Sequence, residues 1–76
     1  MKAYIVVTAK AGTARNIADA MAALPGVLMA DACWGGGDVY GVVEFPAWPE
    51  LNNLVLDKVH SMPGVIHTET HVAVER

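Results

Sequence analysis

The sequence Leu24-Pro25-Gly26-Val27-Leu28 returns in the second half of the chain, at an offset of 38 residues, as Met62-Pro63-Gly64-Val65-Ile66. A Pro-Gly pair ends a helix, because proline cannot continue it and glycine accepts the left-handed backbone that often closes it. The same offset lays the strand-like Tyr4-Ile5-Val6-Val7 over Val42-Val43-Glu44-Phe45. The chain is therefore predicted to consist of two β-α-β units in succession.

The apolar spacing predicts six elements between these markers. The helical residues expected to share an apolar face are Ala14, Ile17, Ala18, Met21 and Leu24 in the first helix and Leu51, Leu54, Val55, Val59 and Met62 in the second. Thr13 is expected to be the N-cap of the first helix, and Trp48 is expected to begin the second. The predicted ranges are 3–9, 27–34, 38–45 and 65–74 for the strands, and 14–24 and 48–62 for the helices. Two interleaved units of this kind give an α+β, ferredoxin-like βαββαβ fold, a four-stranded antiparallel sheet with both helices on one face.

Size and composition predict a single domain over 1–76 that does not remain alone. The chain has 76 residues, of which 54% are hydrophobic, and a domain this small buries a modest share of its surface. The first strand is apolar on both faces, although both helices cover the same face of the sheet. We therefore expect dimerisation, with a second copy packing on the uncovered sheet face.

Charge and composition argue against several partners. The net charge is −3 and the basic residues are scattered, whereas direct nucleic-acid binding needs a clustered basic face. No apolar run approaches the roughly 20 residues of a membrane span, and no signal peptide is recognised. The single cysteine, Cys33, fits a cytoplasmic protein and is predicted to be a small buried hydrophobe. No cofactor is expected.

The stretch Trp34-Gly35-Gly36-Gly37-Asp38 is the candidate ligand loop. Three glycines allow positive φ and close approach to a small zwitterion, although a hairpin turn makes the same demand on the backbone. Asp38 can accept hydrogen bonds from the loop amides or pair with a ligand ammonium, and both interpretations stay open. Trp34 can fill an interface or form a wall of the cleft.

Thr68 and Thr70 share a face of the last predicted strand, where their hydroxyls can hold a carboxylate or simply favour the strand. His67 and His71 share a face as well, but four residues of strand separate them by roughly 13 Å. One metal ion cannot join residues so far apart, so no metal site is expected within one subunit. Histidines of different subunits can still converge in a ring.

The order of motifs resembles the effector-binding domain of the Lrp/AsnC family of leucine- and asparagine-responsive regulators. The matching segments span almost the whole chain and are Ala3-Tyr4-Ile5-Val6-Val7-Thr8, Leu24-Pro25-Gly26-Val27, Gly35-Gly36-Gly37-Asp38-Val39, Leu51-Asn52-Asn53-Leu54-Val55 and Pro63-Gly64-Val65-Ile66-His67-Thr68-Glu69-Thr70. Members of full length carry a helix-turn-helix domain before this one. The sequence therefore looks like a stand-alone effector domain.

The resemblance implies dimers through the sheet faces, a ring of dimers, and amino-acid binding in the clefts between them. It also implies ligand contacts from Gly35, Gly36, Gly37 and Asp38 of the loop, and from Thr68 and Thr70 of the last strand. Trp34 stands where the family often has a small hydroxylated residue, so cleft size and ligand are expected to differ. A helix-turn-helix regulator of the same family is the partner that the resemblance suggests for transcriptional control.

One alternative is a small dimeric enzyme of the same fold, of the monooxygenase or isomerase type, and another is a purely structural oligomer with no ligand. Such an enzyme needs a pocket within the chain, and only Tyr40, Asp38 and His71 are loose candidates for its catalytic groups. No nucleophile, base and acid stand at motif spacing. The sequence favours binding over catalysis, and no catalytic residue is predicted.

Overall fold

The structure, a computed structural model, describes residues 1–35 and 38–74. The elements in chain order are β1 (Lys2–Ala9), α1 (Ala14–Ala22), β2 (Val27–Ala32), β3 (Val39–Glu44), α2 (Trp48–Asn52), a π-helical segment (Asn53–Val59) that continues α2, and β4 (Val65–Val72). The strands form one sheet in the order β2-β3-β1-β4, and all neighbours are antiparallel. This confirms the predicted α+β, ferredoxin-like fold.

One face of the sheet carries the core. Alternate residues of the two central strands, such as Ile5 and Val43, are 1% and 0% exposed and pack against Ile17 and Met21 of α1. The second helix contributes Leu51, Leu54, Val55 and Val59. These helical side chains are among those that the apolar spacing placed on the inner faces of the helices. The buried side chains of the helices and of the sheet therefore form one core cluster.

The opposite face, here called the open face, has no cover within the described chain. Cross-strand pairing places Tyr4 and Val6 of β1 on it beside Val42 and Tyr40 of β3, with Met29 on the neighbouring edge strand. Val6 and Val42 are half-buried at its centre, whereas the two tyrosines and Met29 are more than two-fifths exposed. The apolar face that the sequence predicts is thus present, and the dimer remains a prediction.

The two Pro-Gly turns adopt the same conformation. Gly26 and Gly64 have φ of +87° and +94°, and each follows a turn closed by matching hydrogen bonds, from Leu24 N to Met21 O and from Met62 N to Val59 O. A side chain at Gly26 would also meet the backbone of β3, since its Cβ would lie 2.7 Å from Glu44 O. The sequence repeat therefore reflects a repeat of structure.

The helices differ from expectation in detail. Thr13 occupies the N-cap position of α1, but its hydroxyl donates to Lys10 O at 2.7 Å and caps no helical amide. The helix ends at Ala22, two residues before the predicted end, since Leu24 N already bonds in the closing turn. In the second half, the His60 amide donates to Val55 O, five residues back. Side-chain spacing predicts which residues are buried but not this wider hydrogen-bond pattern.

Candidate functional site

Asp38 ties the glycine loop to the end of β1. Its amide donates to Val7 O at 2.9 Å, its carbonyl accepts from Cys33 N at 2.9 Å, and its carboxylate Oδ2 accepts from Ala9 N at 2.8 Å. The side chain thus has a structural hydrogen bond, made to the neighbouring strand. Its part in binding a ligand remains a prediction.

The glycines of the loop are only partly described. Gly35 has a φ of +122° and open space where a side chain would stand, so this position favours glycine for its backbone conformation. Gly36 and Gly37, both predicted to contact ligand, lie outside the described residues. Trp34 is 99% exposed. A large aromatic side chain therefore projects into solvent from the loop in the single chain.

A cavity of about 430 Å³ opens between this loop and the start of α1. Such a volume lies within the usual range of small-molecule sites. The described lining consists of two charged residues, a glycine and four largely apolar side chains, namely Arg15, Asp38, Gly12, Ala14, Ala32, Cys33 and Trp34. Within residues 1–35 and 38–74, neither Arg15 nor Asp38 has an ion-pair partner. The cavity, here called the glycine-loop cavity, therefore offers one positive and one negative group.

The two threonines lie elsewhere on the sheet. Thr68 pairs with Val7 and Thr70 with Ile5, so both share the helix-covered side of the sheet. Thr68 contacts Nε2 of His60 through its hydroxyl and lines a separate cavity of about 320 Å³. Asp38 and Thr68 lie on opposite sides of the same end of β1. Two strand spacings, a total of roughly 10 Å, therefore separate their backbones. Neither threonine is among the described lining of the glycine-loop cavity.

The histidines of β4 lie on the open face. His67 is opposite Thr8 and His71 opposite Tyr4, with Glu69 between them and its Oε1 3.3 Å from His71 Nε2. Within the described part of the chain, no three residues of metal-binding type converge. The convergence of histidines from several subunits remains a prediction.

Cys33 is exposed in the structure, so its predicted burial is wrong for the single chain. The reason is topological, because β2 is an edge strand that ends at Ala32 and leaves Cys33 beyond the sheet. The loose catalytic candidates do not form one cleft either. Tyr40 and His71 lie on the open face with β1 between their strands, whereas Asp38 lines the glycine-loop cavity.

Arg15 lines the glycine-loop cavity but is not among the residues that the sequence predicts to contact a ligand. It is the second residue of α1, 23 positions before Asp38, and no motif joins the two. The hydrogen bond from Ala9 to Asp38 fastens the loop to the end of β1, and the short connection through Gly12 leads from there into α1. The sequence signal for Arg15 is its position as a cation in the first turn of a helix, directly after the turn at Gly12.

The sequence matches the family model of the Lrp/AsnC ligand binding domain over residues 2–76. The chain belongs to this family. Comparison with curated proteins gives no significant match.

No helix of the described residues is long and apolar enough to cross a membrane.

Solved structures of similar fold include small proteins and longer regulators. TTHA0845 from Thermus thermophilus is 25% identical, with a TM-score of 0.93, over 99% of this chain and 94% of that one. The regulator NMB0573 of Neisseria meningitidis, in complex with L-Met, is 26% identical with a TM-score of 0.84, over 97% of this chain and 49% of that one. Escherichia coli AsnC has the same fold, with a TM-score of 0.88 at 16% identity, and this chain spans 51% of its length.

Proposed function

We propose that this domain binds a free amino acid in the glycine-loop cavity and modulates transcription through association with itself or with DNA-binding relatives. The observation that carries the proposal is a cavity of small-molecule size lined by one cation, one anion and apolar side chains. An amino acid is a zwitterion with a variable side chain, and its charges complement this lining. The membership of the family and the L-Met complex of the Neisseria regulator support the same class of ligand.

In this proposal Asp38 receives the ammonium group of the ligand. One carboxylate oxygen accepts from Ala9, which fixes the side chain, and the charge of the group remains available to a ligand ammonium. A charge-assisted hydrogen bond of this kind contributes about 1.5–3 kcal/mol. The contribution of Thr68 and Thr70 stays a prediction, and in the proposed ring a neighbouring dimer would complete the cleft between them and the loop.

The route to transcription runs through assembly. The five basic residues are scattered through the sequence, so we expect no binding of duplex DNA by the chain itself. Recruitment to DNA would then need a helix-turn-helix partner of the same family. A gel-shift assay checks this point, and salt-sensitive submicromolar binding to duplex DNA would contradict it.

A thermal-shift screen against the twenty amino acids tests the binding proposal. A ligand that binds only the folded state stabilises it by about 2.7 kcal/mol at a hundredfold excess over Kd, which raises the melting temperature. The informative variant is Asp38→Asn, because the amide oxygen can still accept from Ala9 N while the charge is lost. We expect this variant to fold and to bind roughly ten- to a hundredfold more weakly.

Asp19→Asn is the matched control, since Asp19 is an exposed carboxylate on α1 and is not part of the cavity lining. It should bind as the wild type does. A chain that responds to none of the twenty amino acids would contradict the proposal. Unchanged affinity in Asp38→Asn would place the ligand elsewhere.

A further inference from the structure

We infer that Arg15 binds the carboxylate of the amino acid, so that the cavity recognises an α-amino acid by both of its charges. This inference rests on the proposed function and adds to it the residue that reads the second charge. Within one chain, Arg15 takes the place of Thr68 and Thr70 as the partner of the ligand carboxylate.

Arg15 is the cation that the fold places at the glycine-loop cavity. None of the three lysines, Lys2, Lys10 and Lys58, is in the described lining of this cavity. Lys2 lies with Nζ 5.4 Å from the centroid of the Tyr4 ring, and Lys58 lines a different cavity beside Phe45. A guanidinium group offers two parallel N–H donors that match the two oxygens of a carboxylate. Arg15 therefore supplies both the charge and the geometry that the second end of an amino acid requires.

The charges of the cavity are not satisfied by each other. Within residues 1–35 and 38–74, neither Arg15 nor Asp38 forms a salt bridge with an oppositely charged group. A ligand that carries both signs can lie between two such groups and pair with each of them. A ligand with one charge can pair with only one, which gives the site a means of selecting zwitterions.

Thr68 is poorly placed for the same task. Its hydroxyl contacts His60, and the cavity that it lines is a different one. In an α-amino acid the ammonium and carboxylate groups are bonded to the same carbon atom. If Asp38 binds the ammonium group, the partner of the carboxylate must therefore lie in the same cavity. Arg15 meets this requirement within one chain and Thr68 does not.

The rest of the lining predicts the side chain of the ligand. Ala14, Ala32 and the fully exposed Trp34 offer apolar contact surface. An aliphatic or thioether side chain would cover part of the indole and remove it from water, which is favourable in proportion to the apolar area buried. The ligand class is therefore an α-amino acid with an apolar side chain, and L-methionine is a suitable first probe.

Isothermal titration with L-methionine, L-methioninamide and N-acetyl-L-methionine tests the inference on the full chain. If the screen finds a tighter amino acid, its amide and N-acetyl derivative replace those of methionine. The amide lacks the carboxylate charge and the acetyl derivative lacks the ammonium charge. We expect Arg15→Gln to weaken binding of the free amino acid ten- to a hundredfold and to leave binding of the amide nearly unchanged.

Two further variants separate the alternatives. Arg15→Lys keeps the charge without the planar fork and should retain part of the affinity, and Lys58→Gln, which removes a charge at another cavity, should bind as the wild type does. Equal binding of the free amino acid by Arg15→Gln and wild type would overturn the inference. So would an equal loss for amino acid and amide, because that result indicates a structural role.

The same titrations distinguish failure of this inference from failure of the proposed function. Loss of binding in Asp38→Asn together with full binding in Arg15→Gln would overturn the role of Arg15 alone. Absence of binding of every amino acid by the wild-type chain would overturn both.

Discussion

The two faces of the sheet carry similar side chains on their central strands but differ in what covers them. Ile5 and Val7 of β1 are 1% and 0% exposed beneath the helices, while Val6 between them is half-buried on the open face. On β3, Val43 is fully buried and its neighbour Val42 is half-buried. Adjacent residues of the same type therefore occupy opposite environments in the single chain.

This difference explains why the first strand is apolar on both faces. A half-buried strand of a soluble monomer alternates apolar and polar residues, and β1 does so only weakly. The helices of the chain account for one apolar face, and the proposed second copy accounts for the other. The excess of hydrophobic residues is thus explained by the hypothesis that a second copy of the chain packs on the open face.

Placing a carboxylate on each face in turn should give the largest effects. Val7→Asp buries an unpaired charge in the core beneath the helices, at a cost that approaches the 5–15 kcal/mol that stabilises a typical domain. We expect this variant to be unfolded. Val6→Asp places the charge at the centre of the open face and should leave a folded monomer, where the wild type forms a dimer or a larger ring. Circular dichroism and light scattering at micromolar concentration measure both results.

Val6→Thr is a second, less disruptive variant. It tests the same interface if the chain folds only as a dimer and Val6→Asp is therefore unfolded. Threonine keeps the branched shape and the strand preference, so this variant should fold and associate more weakly. A stable wild-type monomer at micromolar concentration would remove the basis for the proposed interface. A Val6→Asp protein with the mass of the wild-type assembly would show that the open face is not the contact.

The fold was accessible from the sequence because its signals are local and repeated. The two Pro-Gly pairs mark the helix-to-strand turns, and the apolar spacing finds the buried residues of both helices, such as Ile17 and Leu54. The end of β2 was less accessible. Cys33 continues an apolar run and was predicted to be buried, but the hydrogen bond from its amide to Asp38 O closes the hairpin and leaves it outside the sheet.

The candidate site was only half accessible, because the sequence does not show which distant residues share a cavity. Trp34 and Asp38 are neighbours of the glycine run and could be named at once. Arg15 reaches the same cavity only through the packing of α1 against β2 and β3. Thr68 lies two strands away from Asp38, and its contact with His60 depends on where the second helix ends.

A smaller effect is expected from Gly41, where a side chain would meet the end of the Met21 side chain on the helix-covered face. A Cβ at Gly41 would lie 2.9 Å from the Met21 methyl carbon, and φ at this position imposes no left-handed strain. Because that methyl ends a flexible side chain that can shift, Gly41→Ala should lower the free energy of unfolding by about 1 kcal/mol, the low end of the range for overpacking. Urea denaturation measures this value.

A double-mutant cycle of Gly41→Ala with Met21→Val tests whether the two side chains collide, because valine lacks the terminal methyl group of Met21. Gly41→Ala should cost less in the Met21→Val background, because the methyl that it displaces is absent. Additive losses would contradict the overpacking explanation. Val42→Ala on the open face is the comparison for the neighbouring position, and it should change the association of chains more than the stability of one chain.

The smallest effect is expected from the contact between Glu69 and His71 on the open face. Glu69 Oε1 lies 3.3 Å from His71 Nε2, and both side chains are about three-fifths exposed, so solvent screens the pair. Glu69→Gln should change the free energy of unfolding of a chain made monomeric by Val42→Asp by less than about 1 kcal/mol. Val42 is used because Val6 is the cross-strand partner of Glu69, and a carboxylate there would itself repel Glu69. In the assembled wild-type background a second copy would exclude water from the pair, and removal of one charge should then cost more. A double-mutant cycle with His71→Gln in both backgrounds measures the coupling, and equal coupling in the two would indicate that the β4 side of the open face stays in water after assembly.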